Sequence, residues 1–242
     1  MGEAALWAFL GSGSLLIGMA LVFLLRPGQR TIGLIMAFGA GTMISAVAFE
    51  LVEEALDVGA PVLATFGLGV GSVAFFVGDL LISRRGGGHR KRSTGKQSEG
   101  SPLAIVLGAA LDGVPESLIV GMSTVVGGAV SVSFVAATFL SNLPEAMAAT
   151  RGLGEAGWPR PKIIRLWVLV VAVSVTAGVL GYALFDAVPG GTGAFVQAFA
   201  AGALLTMLAD TMMPEAFEFG GKLVGLFTVA GFGVALALSG LD

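Results

Sequence analysis

Apolar stretches of about twenty residues recur along this 242-residue chain, separated by short polar segments. A helix needs about 20 apolar residues to cross ~30 Å of hydrocarbon. Eight stretches qualify: residues 4–25, 31–57, 61–83, 102–126, 129–151, 163–185, 192–217 and 221–240. The weakest break is Val126-Gly-Gly-Ala129, between the fourth and the fifth. The pattern predicts an all-α integral membrane protein with eight transmembrane helices in one membrane domain. Helices one to three fall in residues 1–83, a basic loop in 84–101, helices four and five in 102–151, and helices six to eight in 152–242. Residues 1–25 carry Glu3 and no basic leader, so they read as a first span and not as a cleaved signal peptide.

The basic residues orient these spans. With the N-terminus outside, Arg26, Arg30, Arg84, Arg85, Arg90, Lys91, Arg92, Lys96, Arg151, Arg160, Lys162, Arg165 and Lys222 all fall on or beside the inner face, and together they are all 13 Lys and Arg of the chain. This satisfies the positive-inside rule. Losing one span would scatter them to both faces, so eight spans with both termini outside are expected. Short loops fit a bacterial inner (plasma) membrane. The loop 84–101, rich in Gly, Ser, Arg and Lys, reads as a disordered cytoplasmic linker beside anionic lipid, and Arg90-Lys-Arg92 is not taken as a nucleic-acid site.

Composition agrees. The chain is 55% hydrophobic and 12% charged, with a mean hydropathy of +0.92, where soluble domains carry about 25% charge. Its 38 glycines suit close helix packing, and Gly67-x-Gly-x-Gly71, inside an apolar span, reads that way and not as a phosphate loop. With no cysteine and one histidine, His89, thiolate chemistry and histidine-based hydrolysis are excluded, so no enzyme activity is expected.

The candidate chemistry lies in carboxylates that interrupt the apolar spans. Asp112-Gly-Val-Pro-Glu116, Ser141-Asn-Leu-Pro-Glu145 and Asp210-Thr-Met-Met-Pro-Glu215 each place a Pro-Glu pair in helix-forming sequence. A charge in hydrocarbon costs several kcal/mol, roughly, so it persists where it meets water, a partner or an ion. The proline removes a helical hydrogen bond and frees a carbonyl nearby. At ~1.5 Å rise per residue, Asp112 and Glu116 lie near mid-membrane in span four, as do Ser141, Asn142 and Glu145 in span five. Residues four apart share a helix face. Were the two faces to meet, they would offer three carboxylates, an amide and a hydroxyl, a set suited to hard or borderline divalent cations. Such close carboxylates share protons until a cation displaces them. Glu50, with Glu53, Glu54 and Asp57, marks the outer end of span two; Asp210, with Glu215 and Glu218, marks the inner end of span seven. These clusters could gather cations at the two mouths of a path.

Phe38-Gly-Ala-Gly-Thr-Met-Ile-Ser in span two also resembles Phe199-Ala-Ala-Gly-Ala-Leu-Leu-Thr in span seven, and spans four and five share the Pro-Glu core. The paired spans run in opposite directions, the mark of inverted repeats with a site near the midplane.

With these motifs the chain resembles the ZIP (Zrt/Irt-like) family of divalent-metal transporters over essentially its whole length. The family usually has His-Asn-x-Pro-Glu-Gly in span four and His-Glu/Asp-x-Pro-Glu-Gly in span five. Pro115, Glu116, Pro144 and Glu145 match; the two motif histidines are replaced by Asp112 and Ser141, and Gly113 and Asn142 replace further family positions. In span two Glu50 takes the place of a histidine, and span seven keeps Asp210. The resemblance implies a three-plus-two-plus-three helix arrangement, a homodimer in the lipid bilayer, and alternating access. Divalent metal is then substrate and not cofactor. The all-oxygen set shifts preference from zinc toward manganese, iron(II) or magnesium. Two alternatives stand beside this reading: a proton-linked carrier of a small organic solute, and a metal-binding sensor or scaffold that transports nothing.

Overall fold

The computed structural model of the chain describes residues 1–57, 61–84, 102–126, 131–186 and 192–240, and every regular element among them is helical. Helix α1 (Gly2–Leu25) stops where Arg26 adopts φ 49° and its N–H bonds the Val22 carbonyl; Pro27 then cannot extend the helix. Helix α2 (Gln29–Ala46) passes into a π-helical segment, Val47–Val52, and then α3 (Glu53–Asp57). Next come α4 (Pro61–Ile82), α5 (Pro102–Val126), α6 (Val132–Glu155) and α7 (Arg160–Asp186). Helix α8 (Thr192–Met207) enters a second π-helical segment, Leu208–Met212, followed by α9 (Met213–Gly220). Gly221, at φ 66°, begins a short 3-10 turn that leads into α10 (Val224–Ser239).

Among the described residues, six helical stretches are long and apolar enough to cross a membrane: Gly2–Leu25, Gln29–Val52, Pro61–Ile82, Val132–Glu155, Arg160–Phe185 and Gly193–Ser239. The last, 47 residues long, contains α8, α9 and α10 and reverses at Gly221. Large apolar side chains face outward, among them Val62, Phe66 and Val73 on α4 and Leu226 and Val229 on α10. Such faces suit contact with lipid tails, and the chain is compatible with an integral membrane protein.

Two expected boundaries move. Helix α6 continues past Arg151 to Glu155, where the two side chains pair at 2.9 Å one turn apart. Helix α7 begins at Arg160 instead of near residue 163, because Pro161 occupies a first-turn position that needs no donor N–H. The expected break at 127–130, and the loop from Arg85 to Ser101 with His89, lie outside the described residues.

The helices pair in a reciprocal pattern. α2 packs on α10 and α4 on α8, while α1 packs on α6 and α5 on α7. A Cβ on Gly41 of α2 would overlap the Thr228 carbonyl of α10, and one on Gly202 of α8 would overlap the Leu68 carbonyl of α4. Likewise Gly231 of α10 lies against the Phe38 carbonyl and Gly71 of α4 against the Phe199 carbonyl. These are the two segments whose sequences match, and each makes the same contacts with its own partner. The copies run in opposite directions, since Gly33 near the start of α2 meets Gly220 at the end of α9 while Val47–Val52 packs on α8. Met36, Met43, Leu204, Met207, Leu208 and Met212 fill the space between them and are fully or almost fully buried. Met207 and Met212 are therefore core residues.

The same directions gather the described basic residues at one end. Arg151 Nη1 donates to the Pro27 carbonyl at 2.6 Å, joining the end of α6 to the α1–α2 turn. The Gly33–Gly220 contact brings Lys222 to that end, and α4, parallel to α8, delivers Arg84 there. Gly41→Ala and Gly202→Ala are expected to destabilise the bundle by about 1–3 kcal/mol each by forcing backbones apart. Gly69→Ala, whose Cβ meets nothing within 4 Å, should leave it unchanged. Unfolding in detergent followed by helical circular dichroism checks all three.

Candidate polar site between two proline-bearing helices

Neither Pro115 nor Pro144 ends its helix; each lies inside α5 or α6. Glu50 and Asp210, by contrast, lie in π-helical segments, the second of them immediately before Pro214. A π-bulge inserts a residue and re-aims the side chains around it. Pro144 has no N–H for the carbonyl four residues earlier, Leu140. That carbonyl faces Gly39 of α2, where a Cβ would stand 2.6 Å away. The proline on one helix and the glycine on the next thus let α2 close over the Ser141–Glu145 turn.

Spacing of four then sets the polar face. Asp112 and Glu116 share one face of α5, and Ser141 and Glu145 share one face of α6, with Asn142 beside them. All five are 5% exposed or less. Glu116 joins the helices: its Oε2 accepts from Asn142 Nδ2 at 3.0 Å, and its Oε1 lies 3.5 Å from Ser141 Oγ. Ser141 makes its better bond to the Thr138 carbonyl, at 3.1 Å. Three sequence-predicted positions, Glu116, Ser141 and Asn142, are thereby brought into contact. Asp112 and Glu145 are buried on the same two helices. Among the described residues, no three of Asp, Glu or His converge closely enough to hold a metal ion.

Two buried hydroxyls that the motifs do not contain flank this pair. Thr138 Oγ1 and Ser174 Oγ make no hydrogen bond among the described residues. Thr138 lies one turn before Asn142, so its position was legible from α6 periodicity. Ser174 belongs to α7, and a Cβ on Gly113 would lie 3.0 Å from its Oγ; nothing in the apolar run around Ser174 announces it. The absence of a side chain at Gly113, between Asp112 and Glu116, makes room for this hydroxyl.

The outlying acids differ in setting. Glu50 is partly buried and its Oε1 accepts from Ser133 Oγ at 2.6 Å. Ser133 is 2.9 Å from Ser131 Oγ, which caps α6 by accepting from the Phe134 N–H at 3.0 Å. The first π segment is thus tied to the start of α6, through serines that the acidic pattern did not single out. Asp210 is exposed, and on the adjoining α9 it is Glu215 that is buried. Asp79 accepts from Ser83 Oγ at 3.3 Å. The side chains of Glu54 and Asp57 lie outside the described residues.

Asn142→Leu removes the amide donor that stands 3.0 Å from Glu116 Oε2. Loss of a hydrogen bond to a buried carboxylate costs about 1–3 kcal/mol, so this variant should unfold earlier in detergent. Ser141→Ala loses a contact at the 3.5 Å limit to Glu116 and a bond to the Thr138 carbonyl, which the helix backbone already engages, and should cost less than half as much. Comparison of the two melting curves checks the order.

No family model matches this chain, and no curated protein matches its sequence.

Proposed function

We propose that this protein is a secondary transporter that moves divalent metal cations toward the cytoplasm through an oxygen-lined site between α5 and α6. The observation that carries the reading is the Glu116–Asn142 hydrogen bond at 3.0 Å between two buried, proline-bearing helices. A carboxylate held by an amide and approached by a hydroxyl, in apolar surroundings, is a ready acceptor for a cation. In this reading Asp112, Glu116, Asn142 and Glu145 are the ligands and Ser141 is auxiliary. Glu50 and Asp210 line the outer and inner mouths. Cation arrival exchanges the Asn142 N–H donor for the amide oxygen and draws Asp112 and Glu145 inward, so α5 and α6 shift against each other as the site closes.

Eight spans in a three-plus-two-plus-three arrangement of ZIP type belong to the same proposal, with both termini outside the bacterial inner membrane and a homodimer as the assembled form. The reciprocal glycine–carbonyl contacts of Gly41 and Gly202, and of Gly231 and Gly71, support an inverted repeat. So do the paired π-helical segments at Val47–Val52 and Leu208–Met212. Clustering of Arg26, Arg30, Arg84, Arg151, Arg160, Lys162 and Lys222 at one end of the bundle supports the orientation. With oxygen ligands only, manganese and iron(II) should be carried in preference to zinc and cadmium.

Uptake into proteoliposomes across zinc, cadmium, manganese, iron(II), cobalt and magnesium tests the reading. Saturable uptake is expected, strongest for manganese or iron(II), and lost in Glu116→Gln and Glu145→Ala while both variants remain folded. Uptake of no ion by folded wild-type protein would overturn transport, and undiminished uptake in folded Glu116→Gln would overturn the site.

A further inference from the structure

At the basic end of the bundle, the end of α1, the end of α6 and the start of α7 enclose a cavity of about 530 Å³. Arg26, Arg151 and Arg160 line it, with Glu155 as the one acid, and Phe23 and Trp158 supply aromatic wall. The charges are not equally engaged. Arg151 pairs with Glu155 at 2.9 Å and donates to the Pro27 carbonyl at 2.6 Å, which neutralises the acid and fixes the guanidinium. Arg26 and Arg160 pair with no carboxylate among the described residues. Arg160 is held with its Cζ 5.2 Å from the centre of the Phe23 ring, and Lys162 Nζ stands 3.6 Å from the centre of the Trp158 ring. The cavity therefore keeps two positive side chains in excess, Arg26 and Arg160, the second held over an aromatic face.

What lies beneath the cavity identifies its occupant. Arg160, Ile164 and Val168 follow one another at four-residue spacing, so they form one stripe along α7, and all three are exposed. On α1, exposed Leu24 and Leu25 precede Arg26 directly. Arg160 lines the cavity, so the exposed Ile164 and Val168 carry apolar surface from its rim toward the middle of the bundle. Trp158, in the turn between α6 and α7 beside Arg160, is the residue type that meets headgroups at a membrane interface. A free anion uses only the upper half of such a surface; a phospholipid uses both.

We propose that this cavity binds the phosphate headgroup of an anionic phospholipid, with Arg26 and Arg160 on the phosphate and an acyl chain along Ile164 and Val168. Basic pockets between helix ends hold lipid phosphates through the same charge-assisted contacts. The site lies at the end of α6, beyond the Ser141–Glu145 turn that meets Glu116, and its occupancy is independent of whether the protein carries metal. A lipid seated there would bridge α1, α6 and α7.

Native mass spectrometry of the full chain released from detergent, with phosphatidylglycerol and phosphatidylcholine as probes, tests this. Wild-type protein should bind phosphatidylglycerol roughly thirtyfold more tightly than phosphatidylcholine, the ratio two basic contacts provide. In R26Q/R160Q the two lipids should bind alike, while R26K/R160K should keep most of the preference. If the double variant does not fold, the single variants Arg26→Gln and Arg160→Gln decide, each expected to lower the preference about fivefold. Equal binding of both lipids by the wild type, or a preference unchanged by the glutamine variants, would overturn the proposal. Displacement of phosphatidylglycerol by millimolar inorganic phosphate would overturn it too, by assigning the cavity to a free anion.

Discussion

Backbone meets backbone in this bundle wherever a glycine faces a carbonyl, and the other contacts follow from that approach. Phe38 O lies against Gly231 and Phe199 O against Gly71, while Gly41 and Gly202 return the contact toward Thr228 and Leu68. Between apolar helices in an apolar solvent, the hydrophobic effect supplies little net attraction. Dispersion between closely fitted surfaces and weak Cα–H contacts to carbonyls must do most of the holding. Both fall away steeply with distance, so a single methyl group at such a point acts as a spacer. Burial of Met36, Met43, Met207 and Met212 is a consequence: flexible thioether side chains fill what the rigid contacts leave between them.

The same device places the polar residues. Pro144 frees the Leu140 carbonyl, Gly39 lets α2 approach it, and Gly113 leaves space on α5 for Ser174. The result is a carboxylate, Glu116, that is 1% exposed yet held by Asn142 from the neighbouring helix. An isolated carboxylate in that position would be costly. Glu50 is held in a comparable way by Ser133, at the start of the same helix α6. α6 is thus the element both acids lean on, and a movement of α6 would be felt at the centre of the bundle and at the Glu50 end together.

Polarity is also graded along the bundle. Among the described residues, its middle holds neutral donors and carboxylates without a basic residue, whereas Arg26, Arg151, Arg160 and Lys162 gather at one end, braced on Glu155, Phe23 and Trp158. Long basic side chains can reach water or headgroups from a helix end, but a carboxylate at depth cannot, and must find its partner inside the protein. That difference separates the two regions.

The sequence by itself determined the helical class, the positions of the long apolar stretches and the faces of the polar motifs. Length, hydropathy and four-residue spacing are local properties, and helices satisfy their backbone groups locally. It also showed the kinship of Phe38–Ser45 with Phe199–Thr206, because matching contacts select matching small residues. Only the tertiary structure decided that helix geometry departs from α at Glu50 and at Asp210, just before Pro214, while Pro115 and Pro144 are accommodated inside α5 and α6. A proline's missing hydrogen bond can be absorbed by a neighbouring helix, and the neighbour that absorbs it is distant in the chain. Ser133 beneath Glu50, Ser174 beside Gly113 and the burial of Glu215 in place of Asp210 were decided there too. Each depends on which helices touch, and a single serine in an apolar run looks the same whether it faces lipid or a carboxylate.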